Sequence, residues 1–152
     1  MAKIKLDLDP QGPITFDREV SIPTPSGKVL KVAFTFLHRT REQLAELSDQ
    51  MVMAARERYE QSQREAEIEA VREAQAKADK VPYLPQFKPA VDQVEQGLRE
   101  DVEAVMRAAT GWNLDYEFTA ENLTKFFRLY LGAAAAITAE YNVSMTKGRL
   151  GN

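Results

Sequence analysis

The sequence has no cysteine, one histidine and one tryptophan among its 152 residues. The first absence removes disulfides, thiolate nucleophiles and cysteine-ligated zinc, and leaves the redox compartment open. The second leaves little for acid–base chemistry. His38 stands beside Arg39 and near Arg41, and neighbouring positive charge disfavours the protonated imidazole that a general base must form. It reads as a structural or surface residue. A large charge of one sign is missing too: the formal net charge is −3, which argues against a protein whose main work is neutralising phosphates. The longest apolar run, residues 129–139, is interrupted by Tyr130, Gly132 and Thr138. It falls far short of the roughly 20 residues a membrane span needs. The opening MAKIKLDLDPQG has no apolar run of the secretory kind. A soluble intracellular protein with neither a membrane nor a nucleic-acid partner is expected.

What is present is ordinary for a globular chain, with 44% apolar and 28% charged residues. The length allows one domain with a real core. Residues 1–13 are polar, carry Pro10, Gly12 and Pro13 near their end, and read as an arm. From Ile14 the pattern alternates: Ile14, Phe16, Val20 and Ile22 fall on even positions, broken only by Arg18. Pro23, Pro25, Ser26 and Gly27 supply turn chemistry. Leu30, Val32, Phe34 and Phe36 then alternate again. A period of two on both sides of a short turn predicts an antiparallel β-hairpin over 14–37. A hairpin alone is marginal in water, so its apolar face needs a lid.

The lid is expected from the helix that follows. Thr40 with Gln43 three residues later makes a capping box, and Glu42 suits the positive end of the helix dipole. Leu44, Leu47, Met51, Ala54 and Ala55 continue at helical spacing. Beyond them the apolar face fades: residues 56–80 interleave six basic and seven acidic side chains. A long helix over 40–80 with an exposed, charged second half is predicted, its two interleaved signs marking a solvated surface. Residues 81–89 (VPYLPQFKP) hold three prolines and form a loop. A helix over 90–110 follows, with Val91, Val94, Leu98, Val102, Val105 and Ala109 on one side and Asp92, Glu95, Arg99 and Glu103 outward. Gly97 weakens it by roughly 1 kcal/mol relative to alanine, and Gly111 is placed to end it. Thr119 is a good N-cap for C-terminal helices over 119–145, with a bend at Gly132. Residues 146–152 are read as a loose tail. The fold class is α+β, mostly α: an N-terminal antiparallel β-hairpin followed by a single helical domain of about four helices.

No catalytic, cofactor or metal constellation emerges. Asp7 with Asp9, and Asp115 with Glu117, lack a third ligand. The PSGK at 25–28 has no glycine at the offset a phosphate loop needs, and Val29 stands where a magnesium-binding hydroxyl would be. Lys28, Lys31, Arg39 and Arg41 are the best basic cluster, but the nearby Phe34 and Phe36 alternate towards a core. The distinctive stretch is 111–141, GWNLDYEFTAENLTKFFRLYLGAAAAITAEY. Aromatic residues at helical spacing are core first. A tryptophan, several further rings and an alanine run exceed what one short helix needs, so the block is read as part core and part contact surface. The candidate surface for partner binding or self-association is Trp112, Tyr116, Phe118, Phe126, Phe127, Tyr130, Ala133, Ala136 and Tyr141.

Two phrases carry a resemblance. SIPTPSGKVLKVAFTFLHRTREQLAEL, with F-x-F-x-H-R-T-R leading into a helix, resembles the opening hairpin of the tail assembly chaperones of long-tailed bacteriophages and prophages. VEAVMRAATGWNLDYEFTAENLTKFFRLYLGAAAAITAEY resembles their closing segment. There a helix ends in G-W, an acidic-aromatic loop follows, and then come an E-N-L helix and a G-A-A-A-A-I helix. The two phrases cover roughly half the chain, one at each end. Leu131 departs from the family pattern, which has a proline before the glycine. The resemblance implies a non-enzymatic protein of the host bacterial cytoplasm, absent from the mature virion. It would bind the tape-measure protein, keep it soluble, help recruit the tail-tube protein, and form a homo-oligomer. The competing expectation is a structural virion component, such as a head–tail connector or tail completion protein.

Overall fold

The computed structural model describes residues 1–146; all but the first residue of the tail read above lies outside the described residues. The elements run β1 (Thr15–Pro23), β2 (Val29–Leu37), α1 (Arg41–Ala78), α2 (Ala90–Ala108), β3 (Ala109–Trp112), α3 (Ala120–Leu129) and α4 (Ala133–Thr146). The chain divides into two compact units, Met1–Arg39 with Gln93–Asn152, and Thr40–Asp92. The class is α+β, mostly α, opening on an antiparallel hairpin.

In the first unit β1 pairs with β2 from Thr15 opposite Leu37 to Pro23 opposite Val29. Gly27, at φ 80°, supplies the left-handed residue of the turn. Thr24 closes that turn twice, its N–H and its hydroxyl both donating to the Lys28 carbonyl. Alternation sends Phe16, Val20 and Ile22 of β1 and Val32, Phe34 and Phe36 of β2 to one face, and all six are buried. The other face is polar: the Thr35 hydroxyl donates to Asp17 at 2.7 Å, and Lys31 meets Glu19 at 3.4 Å.

A third strand joins where sequence periodicity gives a helix end. α2 stops at Ala108, and the chain passes directly into β3, antiparallel to β2 with Trp112 opposite Phe34 and Gly111 opposite Thr35. Gly111 is therefore a strand residue and not a helix stop. Four residues are too few for a period of two to announce itself. Asn113 extends the ladder on both counts, its N–H donating to the Ala33 carbonyl at 3.0 Å and its side-chain oxygen accepting from the Ala33 N–H at 2.9 Å.

The apolar face of this sheet is covered from within its own unit. α2 contributes Leu98, Val102, Val105 and Ala108, α3 contributes Leu123, Phe126 and Phe127, and α4 contributes Ala133, Ala134, Ile137 and Tyr141. Three- and four-residue steps put each set on one helix face. The α3–α4 bend is made by Gly132 at φ 84°, a conformation that needs no proline before it. Arg39 ties three elements together: it donates to the Tyr141 hydroxyl and the Arg107 carbonyl near the end of α2, and its guanidinium lies 5.8 Å from the Tyr141 ring centroid. Hydrogen bonds to a charged donor contribute about 1.5–3 kcal/mol. Arg39→Ala is expected to destabilise this unit by about that amount, read as a lower urea midpoint. Arg39→Lys, which keeps the charge but loses the fork, should recover less than half.

The second unit holds α1, which begins at the expected capping box. The Thr40 hydroxyl accepts from the Gln43 N–H at 3.2 Å, and the Gln43 side chain accepts from the Thr40 N–H at 2.9 Å. Thirty-eight residues make a rod of about 57 Å. None of its side chains is buried, so Leu44, Leu47 and Met51 keep the helical spacing read in the sequence without forming a buried stripe. The rod ends with Lys80 at φ 54° and two bonds, Lys80 N–H to Lys77 and Val81 N–H to Ala76, that cap the last carbonyls.

The proline-rich stretch returns along α1. Tyr83 donates its hydroxyl to Glu69, the Gln86 N–H donates to the same carboxylate at 3.2 Å, and Lys88 meets Glu65 at 2.6 Å. The bond from Tyr83 lowers the pKa of Glu69, and the phenol itself is pushed up to about 12 chiefly by that bond. Lys88 likewise lowers Glu65. The carboxylate contributions are present above the ordinary 4.5 and fade as pH falls through the lowered values; the phenol's is present below its ordinary 10.0 and is lost as pH rises through about 12. The strap is therefore held best between those limits. Tyr83→Phe is expected to speed amide exchange at Gln86 roughly several-fold at neutral pH, and lowering the pH below the carboxylate range should reduce the protection of that amide relative to its intrinsic exchange rate in the unaltered chain.

Candidate functional site: an aromatic cleft

Trp112 organises the stretch singled out in the sequence. β3 places its ring against Phe34 at 6.1 Å between centroids; Phe118 and Phe126 approach it edge-on at 5.3 and 5.6 Å. Offset and edge contacts of this kind add to simple burial. The indole N–H donates to the Tyr116 carbonyl at 2.6 Å, so the ring also pins the loop that follows it. That loop is fastened at its far end by α3. Thr119 caps the helix by accepting from the Asn122 N–H, and the Asn122 side chain donates back to the Glu117 carbonyl at 2.8 Å. The acidic-aromatic loop and the E-N-L helix are thus one hydrogen-bonded device.

α3 then presents Phe126 and Tyr130, whose rings lie 4.9 Å apart. Together these parts enclose a cleft of about 420 Å³ lined by Leu30, Trp112, Leu114, Tyr116, Phe126, Leu129 and Tyr130, with Asp115, Asn122 and Lys125 also on its walls. Tyr116 and Leu129 are 72% and 68% exposed. Such a cleft offers apolar and aromatic area with one charge of each sign beside it, suited to receiving the apolar side chain of another protein. Among the described residues there is no group of three or more His, Cys, Asp or Glu able to hold a metal ion, and no helix is long and apolar enough to cross a membrane.

The nine sequence candidates separate by what they line. Trp112, Tyr116, Phe126 and Tyr130 line the cleft. Phe118 and Ala136 are half-buried against the core, while Phe127, Ala133 and Tyr141 lie inside it. Those last three belong to the packing and are not available as contact surface. Sequence reading missed Leu30, Leu114 and Leu129. Leu129 was findable, because it follows Phe126 by three positions and so shares its flank. Leu30 reaches the cleft only through the sheet, which no local pattern announces.

The fold is thus an α+β unit that carries an open aromatic cleft. A family model described as phage tail assembly chaperone matches residues 1–152, and the chain belongs to that family. No match was found among curated proteins or among solved structures.

Proposed function

We propose that this chain is a non-enzymatic assembly chaperone that binds the tape-measure protein through the aromatic cleft. Tape-measure proteins are long helices with apolar positions that need cover before a tube surrounds them. The chaperone keeps that surface soluble in the host bacterial cytoplasm, helps bring tail-tube subunits to it, and is absent from the finished particle. The observation that carries this reading is the cleft itself, apolar and open, with Tyr116 and Leu129 exposed at its mouth. Exposed apolar patches of this kind mark interaction sites. A homo-oligomer along a long client gains avidity from many weak contacts without one tight site.

Trp112 is the only tryptophan and lines the cleft, so its fluorescence is a direct probe. Titration with helical segments of the tape-measure protein from the same genome is expected to shift or quench that emission saturably for a subset of segments. Emission that no segment alters would count against the cleft as client site. Finding the chain in purified particles would favour a structural virion component instead.

A further inference from the structure

Residues 1–14 are exposed and belong to no strand, yet their pattern is that of one. Ile4, Leu6 and Leu8 alternate with Lys3, Lys5, Asp7 and Asp9, and the three apolar side chains are 86%, 73% and 85% exposed. A period of two with one apolar side is the signature of a half-buried strand. Among the described residues this segment has the pattern without a partner strand.

The sheet has a place for it. The strand order β1-β2-β3 leaves β1 at an edge. The His38 N–H donates to the Ile14 carbonyl at 2.8 Å, which fixes the parity of the ladder: even-numbered residues of β1 bond towards β2. Thr15, Asp17, Glu19 and Ser21 therefore aim their backbone N–H and C=O groups outward. Such an edge is a template for an added strand.

One antiparallel register meets every requirement at once. With Lys5 opposite Asp17, Lys3 falls opposite Glu19 and Asp7 opposite Thr15. Both lysines then face carboxylates, and all three pairs fall at hydrogen-bonding positions of the edge. Ile4, Leu6 and Leu8 fall beside Arg18, Phe16 and Ile14, on the side where β1 buries its apolar residues. A slip by one residue would turn the apolar side to solvent.

We propose that the arm of one copy adds to the β1 edge of a second copy as a fourth strand. Folding back onto its own β1 in this register would place Asp9 opposite Pro13, at a hydrogen-bonding position next to the turn. Proline has no N–H to close that pair. Exchange between copies needs no such closing pair. The inference rests on the self-association proposed above, but it uses a surface other than the cleft.

The chain has no cysteine of its own, which makes a cross-link test clean. Paired residues at hydrogen-bonding positions lie about 5.5 Å apart between Cα atoms, within the roughly 4.4–6.8 Å a disulfide spans. Lys5→Cys and Asp17→Cys are made separately, one with a size tag, then mixed and oxidised. A mixed disulfide dimer in excess over either homodimer is expected. Glu19→Pro removes the outward N–H together with the carboxylate that meets Lys31 and would face Lys3 of the arm; it and deletion of residues 2–9 should each weaken self-association at least tenfold by light scattering. Absence of the mixed disulfide, or an intrachain bridge in a monomeric double-cysteine variant, would overturn arm exchange. So would oligomers that persist unchanged without the arm, although self-association itself would then stand. Trp112 emission on client titration reads the cleft separately from all of these.

Discussion

Phe36→Ala is expected to destabilise the sheet-containing unit by about 3–5 kcal/mol, the range for deleting a fully buried ring. Phe36 is wholly buried at the middle of the apolar face. Its ring lies 5.7 Å from Phe16, 6.0 Å from Phe34 and 5.6 Å from Tyr141, so one side chain joins both strands of the hairpin to α4. Truncation leaves a cavity among groups held by a backbone ladder, which can close only partly. Urea unfolding followed by Trp112 emission reports on this unit, since the only tryptophan lies in it. The control is Phe87→Ala in the proline-rich stretch: Phe87 is 84% exposed, and its loss should cost within about 0.5 kcal/mol. A loss below about 1 kcal/mol for Phe36→Ala would contradict the described core.

The second large effect is on binding. Tyr116→Ser combined with Leu129→Glu is expected to weaken client capture by more than about tenfold, because truncating anchors at an interface centre commonly costs 2 kcal/mol or more each. Both residues are exposed, so the Trp112 unfolding midpoint should stay nearly unchanged. Phe126→Ala is the less informative variant, since Phe126 is only 8% exposed and packs on Trp112, Phe127 and Tyr130. It would weaken binding and fold together. Capture that survives the double substitution would remove the cleft from the mechanism.

The hairpin was legible because its two runs alternate cleanly around a turn that contains Gly27. Thr40 and Gln43 announced the start of α1 by local chemistry alone. The exposure of α1 was not legible, because Leu44, Leu47 and Met51 have the spacing of a buried stripe, and spacing does not say whether anything packs on it. β3 was hidden by its shortness, and with it the route by which Leu30 joins the cleft. In the aromatic block, helical spacing identified Phe126 and Phe127 but not which of them lines the cleft. That depends on how α3 lies against Trp112, a tertiary fact.

The most direct test is light scattering on a size-exclusion column, for this chain alone and co-expressed with the tape-measure protein of its own genome. The account predicts an oligomer of the chain alone, and a soluble complex in which the tape-measure protein elutes with it. A strict monomer that leaves the tape-measure protein in the pellet would contradict it.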